Sequence, residues 1–147
     1  MIHRWLISAL LLAASLCVQA KDQPGTSPQA AERTYGQNFK DIVLATCIAT
    51  AYRKEPNAAA DAGSSVSALR DWTYYDMENS PDAIKSLVDA YLARDYHNPL
   101  VAPEVKDVKF DLLKCLDLYH SKELAAQAKR FVQKPNRTYR QDHPPRR

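Results

Sequence analysis

An unbroken apolar run lies at the centre of residues 35–54, whose sequence is YGQNFKDIVLATCIATAYRK. Ile42 to Ala49 contain no charged residue, so a helix built from them has no polar face. A helix that is apolar on every side is buried at the centre of its domain. The length, about 20 residues without proline, argues against a strand. The segment therefore predicts a central buried helix that ends before Pro56.

Helical periodicity predicts four more helices, at about 58–79, 80–95, 109–120 and 121–132. The second of these has the strongest start signal, with Ser80 as N-cap and Pro81 as the first helical residue. The helix at 109–120 places five apolar side chains on one side: Phe110, Leu112, Leu113, Leu116 and Tyr119. The predicted fold class is all-α, a compact bundle of about five helices.

The composition excludes several classes of function. The 147 residues carry a net charge of only +3, too weak a bias to indicate nucleic-acid binding. Three scattered glycines cannot form a phosphate-binding loop. No histidine or cysteine spacing matches a metal site, and no cofactor is predicted. Asp117 and His120 could form a ligand pair, but a solvated histidine at a helix C-terminus is the favoured interpretation. We therefore predict no catalytic residue and no enzyme activity.

The N-terminus resembles a secretory signal. Met1–Ala20 combine a basic start at Arg4, an apolar core and a compact cleavage site, and are too short for a membrane anchor. Cleavage after Ala20 is favoured over lipidation at Cys17 and leaves no membrane segment. The predicted division is a signal peptide, a flexible leader, a helical domain and a frayed polar tail from about Gln133. Their bounds are 1–20, 21–34, 35–133 and 134–147.

Two cysteines remain after cleavage, Cys47 and Cys115. An even pair in an exported chain favours a disulfide. The alternative is two buried thiols that never meet. A reactive cysteine is disfavoured, because Cys47 lies in the most apolar segment, where a thiolate is unfavourable.

Two features favour protein binding. Residues 96–107 form a long connection with two prolines and an unusually apolar composition, and long loops of this kind are often functional. Three aromatic residues at 72–75 span more than one face of the predicted helix, and such side chains are frequent in interface hot spots. The candidate partner-binding residues are His97, Asn98, Pro99, Leu100, Val101, Ala102, Pro103, Glu104, Trp72, Tyr74 and Tyr75. Residue spacing alone predicts a small exported helical binding module, with a generic periplasmic adaptor or chaperone as the alternative.

Five blocks of sequence carry a resemblance to a known family. They are QNFKD (37–41), LATC (44–47), DAGSS (61–65), LRDWTYY (69–75) and KFDLLKCLDLYHS (109–121). In this order they resemble the fourth family of type VI secretion amidase immunity proteins. The resemblance runs from about Tyr35 to Tyr139, so it covers almost the whole mature chain.

The resemblance implies a periplasmic protein that protects a Gram-negative bacterium from a peptidoglycan amidase injected by sister cells. That amidase cuts between D-glutamate and diaminopimelate with a Cys–His pair. The inhibitor would act as a helical homodimer, in which a loop of one subunit plugs the enzyme's cleft and a helix of the other flanks it. We assign the loop to residues 97–106 because of the two prolines, which make it rigid. The family's disulfide corresponds to Cys47 and Cys115.

Overall fold

The chain folds into a bundle of helices around α1. A computed structural model describes residues 27–96 and 107–144. In these ranges the α-helices are α1 (Tyr35–Ala51), α2 (Pro56–Arg70), α3 (Ser80–Leu92), α4 (Asp111–Tyr119), α5 (Lys122–Phe131) and the single turn α6 (Tyr139–Asp142). The all-α class is confirmed, and α1 to α5 are the five helices expected. No helix of the described ranges is long and apolar enough to cross a membrane.

Helix α1 is the central element, as predicted. Thr34 and Gln37 form a capping box at its start, each side chain accepting a hydrogen bond from the other residue's amide. Such a cap contributes about 1 kcal/mol to helix stability. Helices α2 to α5 all pack on α1. The fully buried core includes Tyr35, Phe39, Val43, Cys47, Val88, Leu118 and Leu124.

A disulfide joins α1 to α4. Cys47 and Cys115 are bonded, and both residues are completely buried. The bond confirms the first of the two interpretations of the cysteine pair. It connects positions separated by 68 residues, so it closes a loop that contains α2 and α3.

The predicted helix 58–79 is too long, because α2 ends at Arg70. The chain turns at Asp71 and Trp72, and residues 73–76 then meet the segment after α5. Tyr75 forms a β-bridge with Val132, and the Asp76 amide donates to the Phe131 carbonyl over 2.9 Å. The Asp76 carboxylate then accepts from the amides of residues 78 and 79, a turn that competes with helix. The start of α3 is also corrected, because Asn79 is the N-cap and Ser80 is the first helical residue.

The expectation of a frayed tail from Gln133 is wrong for the residues described. The carbonyls of Pro135 and Arg137 accept hydrogen bonds from the first two amides of α1, over 2.9 and 2.8 Å. A Cβ at Gly36 would lie 3.0 Å from the Pro135 carbonyl oxygen, so this close approach favours glycine. Ala30 and Ala31 of the predicted leader are buried as well. Both flanking segments therefore close the N-terminal end of α1.

Tyr35 ties α1 to the last turn. Its buried hydroxyl donates to the Asp142 carboxylate over 3.0 Å. Burial, and secondly this hydrogen bond, raise the pKa of Tyr35 to about 12. A side-chain hydrogen bond from Arg137 is the main cause that lowers the pKa of Asp142. Tyr35 therefore favours the fold only while its phenol is neutral.

Replacing Tyr35 with Phe is expected to lower the free energy of unfolding by about 1 kcal/mol at neutral pH, since one hydrogen bond is lost. The pKa of Tyr35 is higher in the folded chain than its ordinary value of 10.0. The stability that its raised pKa gives is thus present below pH 10 and lost as the pH rises toward 12. Urea unfolding of both proteins between pH 10 and pH 12 should show that the difference between their free energies of unfolding becomes smaller as the pH rises. Tyr74→Phe, which removes an exposed hydroxyl, is the control; an equal loss in both variants contradicts the prediction.

Candidate protein-binding site

The predicted plug, residues 97–106, lies outside the described residues, together with the candidate contacts from His97 to Glu104. The structure does describe both of its stems. Tyr96 follows the end of α3, and Asp107 precedes the start of α4.

A buried lysine clamps the end of α3 to α4. Lys114 of α4 is only 5% exposed, and its Nζ donates to the Leu92 carbonyl of α3 over 3.2 Å and to the Asp111 carboxylate over 3.0 Å. A buried cation needs such partners to offset its lost hydration. The Tyr96 hydroxyl donates to the Asp117 carboxylate over 2.5 Å, and this bond is the main cause that raises the pKa of Tyr96. The ends of α3 and α4 are therefore fixed relative to each other where the plug begins.

Beside the stems lies an exposed apolar face of α4, formed by Leu112, Leu113 and Leu116 together with Val108, which precedes the helix. These side chains are 39–47% exposed, although an apolar stripe would normally face the core. The disulfide explains the orientation: with Cys115 and Leu118 buried against α1, the three leucines point away from it. Sequence periodicity found this stripe but could not show that it faces outward. Contiguous exposed apolar side chains of this kind mark interaction surfaces.

Trp72, Tyr74 and Tyr75 follow the end of α2 and do not lie on a helix, so the prediction that they span several helical faces is wrong. Each ring contacts another aromatic ring of the chain, with ring centroids 5.2 Å apart for Tyr74 and Tyr35 and 5.4 Å apart for Tyr75 and Phe39. Trp72 lies edge-on to Tyr139 of α6 at 5.0 Å. Tyr74 keeps 45% of its surface exposed. Partner binding by Trp72, Tyr74 and Tyr75 stays a prediction.

The one candidate ligand pair is not arranged as a site. Asp117 accepts the Tyr96 hydrogen bond, whereas the His120 ring lies edge-on to Tyr119 at 5.2 Å. Across residues 27–96 and 107–144, no three His, Cys, Asp or Glu side chains are grouped to hold a metal ion. The described surface beside residues 97–106 thus offers apolar contact area.

Comparison with known proteins assigns the family. The profile of Tai4, described as a type VI secretion system amidase immunity protein, matches residues 37–128. The chain belongs to the Tai4 family. The match covers more than half of the chain and contains both cysteines, the stems and the exposed apolar face of α4. No curated protein was found to match.

Two solved structures share the fold of this Tai4-family chain. One comes from work on type VI-secreted toxins and self-resistance proteins of Serratia marcescens, with 27% identity, a TM-score of 0.72, and coverage of 85% of this chain and 98% of the other. The second belongs to the Tae4/Tai4 effector–immunity system of Salmonella typhimurium, with 23% identity, a TM-score of 0.62, and coverage of 74% and 99%. The likeness extends over nearly the full length of both relatives. The protein is therefore an immunity protein against an amidase effector.

Proposed function

We propose that this Tai4-family protein acts in the periplasm, where it binds its cognate amidase, blocks the catalytic cleft and catalyses no reaction itself. The observation that carries the proposal is the clamp at Lys114, which joins α3 to α4, the two helices that residues 97–106 connect. An inhibitor that works by occupying space needs a projecting segment that is held in place. The clamp holds together the two helices on either side of that segment.

Residues 97–106 are the proposed plug, with His97 to Glu104 in the cleft of a Cys–His amidase that cuts between D-glutamate and diaminopimelate. Ordering a loop on binding costs roughly 0.5–1.5 kcal/mol for each immobilised side chain. Pro99 and Pro103 lower this cost because their φ angles are already restricted. The clamp at Lys114 supports the assignment, since it joins the end of α3 to α4 before the partner arrives.

The proposed location follows from the N-terminus and the disulfide. Residues 1–20, outside the described ranges, have the pattern of a cleaved signal peptide. The Cys47–Cys115 bond suits an oxidising compartment such as the periplasm.

The protein is further proposed to be a homodimer that pairs through the exposed apolar face of α4. A two-fold interface uses the same patch on both subunits, and an apolar helix face can pack against its own copy. Because α4 begins five residues after the plug ends, this pairing sets the partner subunit's α4 beside the plug. One subunit would then supply the plug and the other a flanking helix.

Placing charges on this face is expected to produce monomers. In Leu112→Asp/Leu116→Asp, two carboxylates would have to be buried at the pairing surface, which is costly without partners. Size-exclusion chromatography with light scattering should show the dimer mass for the mature protein and half of it for the variant. Ser86→Asp/Ala90→Asp is the matched control, with the same spacing and charge on the exposed side of α3. A monomeric parent protein, or a variant that remains dimeric, would refute this mode of pairing.

The proposed function is tested by mixing the purified mature protein with its cognate amidase. Peptidoglycan cleavage should cease near one inhibitor subunit per enzyme, since a steric blocker acts by stoichiometric binding. An unrelated periplasmic helical protein of the same size is the control. Undiminished cleavage at excess inhibitor, or peptidoglycan turnover by the inhibitor alone, would refute the proposal.

A further inference from the structure

A second surface, separate from the exposed apolar face of α4, is a groove of about 380 Å³ between α1 and α3. Its walls between the two ends are mainly apolar, with Ile42 on α1 and Ile84 and Val88 on α3. Thr46 and Thr50 also line it, but their hydroxyls donate to carbonyls of their own helix over 2.8 Å. Because these hydroxyls are already bonded, the middle of the groove favours an apolar occupant.

An arginine lies at each end of the groove. Arg53 follows α1 and also lies beside Leu92, the last residue of α3. Arg70 ends α2 near the start of α1, where the Trp72 carbonyl accepts from the Asn38 side chain over 3.2 Å. The two guanidinium groups therefore flank the apolar middle from opposite ends.

The charges on the rim are not balanced. Lys85 is paired with Asp89, whereas Arg53 and Arg70 form no ion pair with any residue that the structure describes. Ser80, which is part of the lining, is fully buried, and its hydroxyl has no hydrogen-bond partner in the same ranges. Guanidinium groups bind carboxylates in a bidentate manner. The rim thus carries two guanidinium groups that form no ion pair within the described residues, so it favours an occupant with acidic ends.

We propose that this groove binds an extended peptide segment of a partner protein, in which two acidic residues flank a short apolar stretch. Thr50 lies eight residues after Ile42, a rise of about 12 Å along α1, and Arg53 lies just beyond the end of the helix. An extended chain spans about 3.3 Å per residue, so acidic residues five positions apart reach both ends. The chain's own C-terminus does not fit, because residues 144–147 are PPRR and carry the same charge as the rim.

The test uses fluorescein-labelled peptides and fluorescence anisotropy with the full mature protein. The probe DVSLVE has acidic residues five positions apart, KVSLVK reverses the charges, and DLVE shortens the spacing. We expect DVSLVE to bind at least tenfold more tightly than either of the others. The Arg53→Gln/Arg70→Gln variant should weaken its binding at least tenfold and lose the preference for acidic ends.

Two further variants make the result specific. Lys122→Gln/Lys129→Gln removes the same charge from the exposed side of α5 and should bind DVSLVE as the parent does. Thr50→Trp keeps both arginines but fills the groove, and should abolish binding while the thermal unfolding transition remains. Equal binding of DVSLVE and KVSLVK, or unchanged binding by Arg53→Gln/Arg70→Gln, would overturn the proposal. So would displacement of DVSLVE by an equimolar synthetic peptide of residues 97–106, because the occupant would then be another copy of this chain.

Discussion

Removal of the disulfide is expected to lower the free energy of unfolding by about 4 kcal/mol. Cys47 and Cys115 are 68 positions apart, and cross-linking so long a loop removes much conformational entropy from the unfolded chain. Domains of this size are stable by only about 5–15 kcal/mol, so the loss is a large part of the total. Urea unfolding of the Cys47→Ala/Cys115→Ala variant should have a midpoint far below that of the oxidised protein.

Reduction of the parent protein distinguishes the contribution of the cross-link to stability from that of side-chain packing at the two cysteines. Dithiothreitol breaks the bond but leaves both buried sulfur atoms in place, so the reduced parent should lose most of the same stability. The double-alanine variant should not respond to the reductant. A loss below 1 kcal/mol in both experiments would show that helix packing alone holds α1 and α4 together.

Local patterns predicted the helices well where the signals lie within one segment. The apolar run of α1 and the stripe of α3 each gave a helix with an end misplaced by about three residues. The helix predicted at 121–132 agrees with α5 to within one residue at each end, and the Ser121 hydroxyl caps its start by accepting from the Leu124 amide. These signals depend on side chains three or four residues apart, which the sequence displays directly.

The errors occur where distant segments meet. The apolar residues in 71–79 have the same helical spacing as those of α2. Their non-helical conformation depends on pairing with residues 131–133, which periodicity cannot detect. The polar composition of α6 is typical of a frayed tail, which is why the sequence analysis does not predict this helical turn. Thr138 and Gln141 nevertheless have the spacing of a capping box, which indicates a helix start. Its docking on Tyr35 is a long-range contact.

The candidate site shows the same limit. Helical periodicity identifies the apolar stripe on α4, but the orientation of that helix about its axis is set by the bond from Cys115 to α1 and by burial of Leu118. The clamp at Lys114 was missed because a lysine in a helix normally faces solvent. Its role depends on a carbonyl of α3, 22 residues earlier in the chain.

Deletion of Leu100–Pro103 is expected to weaken inhibition of the cognate amidase by about a hundredfold or more. If these residues fill the catalytic cleft, their loss removes the central contacts of the interface, where individual hot-spot residues contribute about 2–4 kcal/mol. Stability should change little, because the contacts from Tyr96 to Asp117 and from Lys114 to Leu92 lie outside the deletion. The inhibition constant and the thermal midpoint, measured on the same sample, report the two effects.

A deletion of equal length provides the comparison. Removing residues 144–147 shortens the chain by four positions beyond α6 and should leave inhibition unchanged. A Pro99→Gly/Pro103→Gly variant keeps the plug's length but restores its flexibility, so it should inhibit more weakly than the parent and better than the deletion. Full inhibition by the Leu100–Pro103 deletion would place the blocking contact elsewhere. Tyr74, a predicted partner-binding residue that keeps 45% of its surface exposed, would then be the next residue to test.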